Sequence, residues 1–160
     1  FFTVYGPWGR PDMAPMIFSK AILEGESIEV FNFGKMIRDF TFIDDVVEVL
    51  CRCSNKPAEV NPDFDPFNPE LATSFAPHRI FNVGNSKPIK LMEFINLLEN
   101  NLGKKAKKIL KPLQDGDVME TTACTDLLYE WIQFKPSTKL EYGIKVFTDW
   151  YKNYFQLFKE

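Results

Sequence analysis

The sequence predicts an α/β fold. Short runs of β-branched and aromatic residues recur along it, stretches with a helical apolar stripe lie between them, and Gly/Pro clusters mark the joins. Phe1 to Tyr5 reads as a strand. Gly6-Pro7-Trp8-Gly9-Arg10-Pro11 comes next as a loop, because its glycines and prolines interrupt any regular element. Met16 to Leu23 is helix-like, and Gly25 closes it. Ile28 to Phe31 and Asp39 to Ile43 read as strands. Asp44 or Asp45 can cap the next helix, Val46 to about Cys53.

Residues 55–78 hold five prolines and no periodicity. A long loop is expected there, and long loops inside compact domains are functional or mobile. Arg79 to Val83 reads as a third clear strand, ending at Gly84-Asn85. Leu91, Phe94, Ile95, Leu98 and Leu102 make a helical stripe, with Gly103 at its end. Lys108 to Leu113 reads as an edge strand. Asp126 to Trp131 is a short helix with Thr125 or Asp126 near its start. The last helix is expected over Leu140 to Phe158, with Tyr142 or Gly143 near its start. Its apolar face is Ile144, Phe147, Trp150, Tyr151, Tyr154, Phe155 and Phe158. These strands supply only part of a complete sheet.

A length of 160 residues fits one domain. Sixteen phenylalanines suggest a well-filled core or a surface that expects a neighbour. A net charge of -3 argues against a general nucleic-acid binder. No apolar run approaches the roughly 20 residues that cross a bilayer. The chain opens inside a strand-like run, with no initiating Met and no basic leader, so further sequence is expected upstream. Cys51, Cys53 and Cys124 make no disulfide framework and are expected to be reduced thiols of a cytoplasmic protein.

No catalytic arrangement stands alone. The single histidine, His78, lies in a loop, and the chain has no Ser–His–acid set, HExxH or zinc spacing. Asp44-Asp45 suits a helix start better than a metal. Asp63 and Asp65 lack calcium-loop spacing. Lys104, Lys105, Lys107 and Lys108 read as a solvated helix end and strand edge, without an aromatic platform. The arginines say more, being four against fifteen lysines. Arginine suits a site where a planar fork must grip a phosphate or carboxylate. Arg10 lies in a loop beyond a strand end, where open α/β sheets bind ligands. Arg38 immediately precedes a strand. For Arg10, an anion site and a surface salt bridge both remain open.

Five blocks in order carry a resemblance. They are Phe1-Phe2-Thr3-Val4-Tyr5-Gly6-Pro7-Trp8-Gly9-Arg10-Pro11-Asp12-Met13-Ala14, Arg38-Asp39-Phe40-Thr41-Phe42-Ile43-Asp44-Asp45-Val46, Phe81-Asn82-Val83-Gly84-Asn85, Pro112-Leu113-Gln114-Asp115-Gly116-Asp117-Val118, and Gly-Ile-Lys-Val-Phe-Thr-Asp-Trp-Tyr from Gly143. Along essentially its whole length the chain resembles the UDP-glucuronate 4-epimerases, within the extended short-chain dehydrogenase/reductases. The first block is the most specific; the second and third are shared with related dehydratases. The resemblance implies the C-terminal substrate-binding part of such a fold, incomplete without its N-terminal Rossmann half. Residues 1–160 would form the nucleotide-sugar-binding domain, with some strands belonging to the Rossmann sheet. The chain has no GxxGxxG, and Tyr5, Tyr129, Tyr151 and Tyr154 lack the Tyr-x-x-x-Lys spacing. No catalytic residue is therefore expected in this chain.

The resemblance also implies roles. Thr3 and Arg10 match positions that hold the sugar carboxylate, and Arg38 matches the diphosphate clamp. Gln114 and Asp117 match the pair that reaches the uridine, and Val30 and Phe31 the strand beside the uracil. Phe1 and Phe2 would lie on the nicotinamide side. In the whole enzyme, a tyrosinate takes the 4-hydroxyl proton while hydride passes from C4 to NAD. The keto sugar then rotates, and hydride returns to its other face. Arg10 and Thr3 would fix the carboxylate and disfavour its loss as carbon dioxide. NAD is expected in the full-length protein and not on this fragment. The partners implied are a UDP-sugar, the missing NAD-binding half, and further copies through exposed apolar surface. The chain is expected to be inactive alone. The alternatives are a related UDP-sugar decarboxylase or dehydratase, or a non-catalytic nucleotide-sugar binding module.

Overall fold

The computed structural model describes residues 1–156. The chain runs β1 (Thr3–Tyr5), α1 (Ala14–Glu24), β2 (Ser27–Val30), a 3-10 turn (Phe31–Gly34), β3 (Ile37–Phe42), α2 (Ile43–Asn55), β4 (Pro88–Lys90), α3 (Leu91–Leu102), β5 (Lys107–Leu110), α4 (Asp126–Ile132) and α5 (Leu140–Gln156). β3 is central to a three-stranded sheet. β1 pairs with it in parallel, Thr3 opposite Phe40, and β4 antiparallel, Ile37 opposite Lys90. β2 and β5 form a separate parallel pair, Val30 opposite Leu110.

Strand alternation sets the layers. Tyr5, Phe40 and Phe42 join one core with Phe94, Ile144 and Phe147, closed over by α1, α3 and α5. Phe40 and Phe94 stack with centroids 4.4 Å apart. On the other face Val46, Val49, Leu128 and Ile132 bring α2 and α4 down around Val83. The α/β expectation is met, with helices on both sides of the sheet.

The helices obey local signals. Pro15 sits in the first turn of α1, where its missing N–H costs nothing. Gly25 ends α1 at φ 75, and the Glu26 N–H returns to the Ala21 carbonyl. The stripe Phe94, Ile95, Leu98 and Leu102 is buried as its spacing predicts. Glu99 is buried too, accepting from Lys105 at 2.9 Å, from the Ala106 N–H at 3.1 Å, and from Lys108. Burial alone would raise its pKa, but these partners together lower it to about 2.

Several expectations need correction. Residues 79–83 form no strand ladder. The Thr73–Arg79 bridge, the Ile80 N–H on the Ala72 carbonyl and the Phe2 N–H on the Val83 carbonyl tie them, and the apolar run lacks a paired strand. Arg38 lies inside β3 rather than before it, and α2 begins at Ile43. Asp44 and Asp45 fall within its first turn; Asp45 caps nothing in α2 and accepts the Ser137 and Thr138 N–H groups instead. Phe31 leaves β2 for the 3-10 turn, and β5 stops at Leu110, short of Pro112. The α5 helix starts at Leu140 as expected, but Phe155, expected on its apolar face, is exposed. Phe158 lies outside the described residues. Residues 55–78 fold back on themselves, with the Asn61 N–H on the Ser74 carbonyl and Phe64 against Phe75, leaving Phe67 and Leu71 exposed.

Candidate functional site

Arg38 and Phe40 alternate onto one face of β3 and line a cavity of about 240 Å³ with Thr3, Phe31 and Asp117. The Arg38 side chain is held on three sides. Nη1 donates to the carbonyls of Ile37 at 2.9 Å and Met119 at 3.2 Å, and Nη2 donates to Asp117 Oδ1 at 2.9 Å. Nε and the second Nη2 hydrogen keep no partner among the described residues. With these donors left over, the guanidinium can still donate to a phosphate or carboxylate. Asp117 Oδ1 also accepts the Val118 N–H, which leaves Oδ2 as an acceptor. Both side chains are largely shielded, so their ion pair is screened less than a surface pair.

Asp39, on the opposite face, fixes this arrangement from behind. It is fully buried, and its carboxylate accepts the N–H groups of Asn85, Ser86 and Ala123, each at 2.9 Å. Its own N–H donates to Thr121 Oγ1 at 3.3 Å. Each charge-assisted bond of this kind contributes about 1.5–3 kcal/mol. Gly84 must lack a side chain, since a Cβ there would collide with the Cβ of Ala123. The segment after Asp117 is thereby stitched to β3, with the Ile37 N–H on the Met119 carbonyl and the Thr121 N–H on the Ile37 carbonyl.

A second cavity, of about 510 Å³, adjoins the first and shares Thr3 and Met13 with it. Phe1, Phe2, Tyr5, Trp8 and Arg10 line it. Arg10 grips Asp12 through Nε at 2.9 Å and Nη2 at 2.6 Å, and both side chains are about 70% exposed (73% and 67%). The hydrogen bond between them lowers the Asp12 pKa and raises that of Arg10. An exposed pair so placed holds its partners weakly and can be exchanged for another carboxylate. Trp8 has φ 61, a conformation that costs a bulky residue about 1–3 kcal/mol. Its ring rests on Trp150 at 5.4 Å and Tyr154 at 4.9 Å. The Tyr5 hydroxyl is buried without a hydrogen-bond partner; burial, helped by the charges of Asp45 and Glu141, pushes its pKa well above the ordinary value. Tyr5 is therefore a protonated core phenol at neutral pH.

The structure brings Thr3, Phe31, Arg38 and Asp117 together, and sets Arg10, Phe1 and Phe2 in the neighbouring cavity. Val30 is fully buried, and its carbonyl already accepts the Lys111 N–H. Gln114 is exposed and lines neither cavity; its carbonyl accepts the Asp117 N–H. Sequence reasoning missed Asp39 and the Met119 carbonyl. The partners of Asp39 lie more than 40 positions away, so no local pattern announces them. Among the described residues no group of three or more His, Cys, Asp or Glu side chains could hold a metal ion, and no helix is long and apolar enough to cross a membrane.

The model of the NAD dependent epimerase/dehydratase family matches residues 1–84. Protein CapI of Staphylococcus aureus is 49% identical over 98% of this chain and 47% of its own length. A probable UDP-glucuronate 4-epimerase of Rhizobium meliloti is 45% identical, over 96% of this chain and 46% of its own length. The chain thus spans about half the length of the curated relatives it matches. Among solved structures, the UDP-glucuronic acid 4-epimerase of Bacillus cereus, in complex with UDP-glucuronic acid and NAD, superposes with a TM-score of 0.75 at 27% identity, covering 96% of this chain and 44% of that one.

Proposed function

The chain belongs to the NAD-dependent epimerase/dehydratase family, and from that premise we propose that it forms the sugar-nucleotide-holding part of a UDP-glucuronate 4-epimerase. One observation carries the reading: the free Nε and Nη2 donors of Arg38 and the free Oδ2 of Asp117 share a cavity with Thr3 and Phe31. Arg38 binds the diphosphate, and Asp117 accepts from ribose hydroxyls. Phe31 offers its ring to the uracil. Thr3, which lines both cavities, and Arg10 hold the sugar carboxylate, with Asp12 giving up its place on the guanidinium.

NAD belongs to this reading through the family, but the residues of this chain do not fit its phosphates. There is no glycine-rich loop opening a strand, and the second cavity is lined mainly by apolar and aromatic residues, with Arg10 as its one charge. Tyr5, the tyrosine in that cavity, is held protonated. No redox step is derived from these side chains. Their work is to bind and orient the sugar while the cofactor half lies against them on the Phe1 and Phe2 side of the cavity. The same reading puts the protein in the cytoplasm. It also lets isolated copies associate through Phe1, Trp8 and the exposed loop residues Phe67 and Leu71.

The experiment is product analysis of the full-length protein with UDP-glucuronate and NAD. UDP-galacturonate is the expected product. A UDP-pentose would mean a decarboxylase, and no turnover with retained UDP binding would mean a binding module.

A further inference from the structure

We propose that α5 sets selectivity for a sugar carboxylate by holding the Arg10 loop through Trp8, which makes Trp8, Trp150 and Tyr154 positioning residues. This rests on the reading of Arg10 as the carboxylate's partner. Loop 6–11 leaves β1 and meets α5 at two points. At its entrance the Tyr5 ring fills the notch left by Gly143, where any Cβ would collide with the phenol. Two residues before Arg10, the Trp8 ring lies edge-on to Tyr154 and tilted against Trp150. Trp150 and Tyr154 are one helical turn apart and stack on each other at 5.4 Å and 20°, making an aromatic platform on α5.

A tryptophan at φ 61 is not adopting its own preference. The residue is 72% exposed, and its ring contacts among the described residues are those with Trp150 and Tyr154. Arg10 has no comparable anchor, its guanidinium resting on exposed Asp12. Where that guanidinium can reach is therefore set by the backbone of residues 8–10. Trp8 and Arg10 line the same cavity, while Trp150 and Tyr154 do not. A change on α5, away from the ligand, should thus alter one feature of recognition, the carboxylate.

The test measures the ratio of dissociation constants for UDP-glucose and UDP-glucuronate in the full-length protein. These ligands differ at the carboxylate. The combined Trp150→Ala and Tyr154→Ala variant should cut the preference for the uronate about ten-fold, with UDP-glucose affinity held within about two-fold. Trp8→Gly suits the backbone but removes the ring, and should lower the ratio similarly; Trp8→Phe should restore most of it. If the helix variant does not fold, the two Trp8 variants decide. The inference is overturned if the ratio survives in Trp8→Gly while Arg10→Ala abolishes it, or if both ligands weaken equally. A ratio untouched by Arg10→Ala would instead sink the carboxylate reading of Arg10.

Discussion

Arg38 and Arg10 carry the same guanidinium on very different supports. Arg38 sits within a central strand, bonded to two carbonyls and a shielded carboxylate, above a strand neighbour that is itself tied to three backbone N–H groups. Arg10 sits on a Gly/Pro loop, exposed, and bonded to an acid two residues away. On the proposed function, the difference suits two tasks. A diphosphate is common to every nucleotide sugar and rewards a fixed fork, while a carboxylate distinguishes one sugar and rewards an arm that can exchange partners.

The largest expected effect breaks the rigid side. Asp39→Ala removes the acceptor of three N–H groups, two of them in buried bonds, and should destabilise the protein by about 3–5 kcal/mol in denaturant titration. A loss below about 1 kcal/mol would mean that Arg38 does not depend on this anchor. Next, Arg38→Ala should weaken UDP binding by roughly 10- to 100-fold in calorimetry. Arg10→Ala should leave UDP binding nearly unchanged. Equal losses from the two would erase the contrast.

Acid should act on the scaffold through Glu99. Glu99 is held at about 2 when folded, below its ordinary value of 4.5. Its contribution is therefore complete above pH 4.5 and is lost as pH falls from there towards 2. Stability measured across that window should drop by on the order of 2 kcal/mol, allowing for solvent screening at the lysines, and Glu99→Gln should flatten the drop. The smallest effect is expected at the loop. Asp12→Ala should leave the thermal midpoint where it is, because the pair is exposed, yet tighten binding of a carboxylate ligand by freeing Arg10.

Legibility in the sequence divides along the same line. The α3 stripe was legible because its period is local, and Arg38 and Asp117 because their motifs are contiguous. β4 was not, since three residues beginning with a proline are strand-like only beside β3. Asp45 looks like a helix cap because a helical run is its neighbour along the chain, but its partners are at Ser137 and Thr138. Residues 79–83 have the composition of a strand, and composition does not supply the ladder. Trp8 reads as part of a turn until Trp150 and Tyr154 are beside it.

The most direct measurement is a crystal structure of the full-length protein with UDP-glucuronate. The diphosphate should lie on the free Nε and Nη2 donors of Arg38, a ribose hydroxyl on Asp117 Oδ2, and the carboxylate within reach of Thr3 and Arg10. A nucleotide bound on another face, with the Arg38–Asp117 cavity left to solvent, would contradict the account.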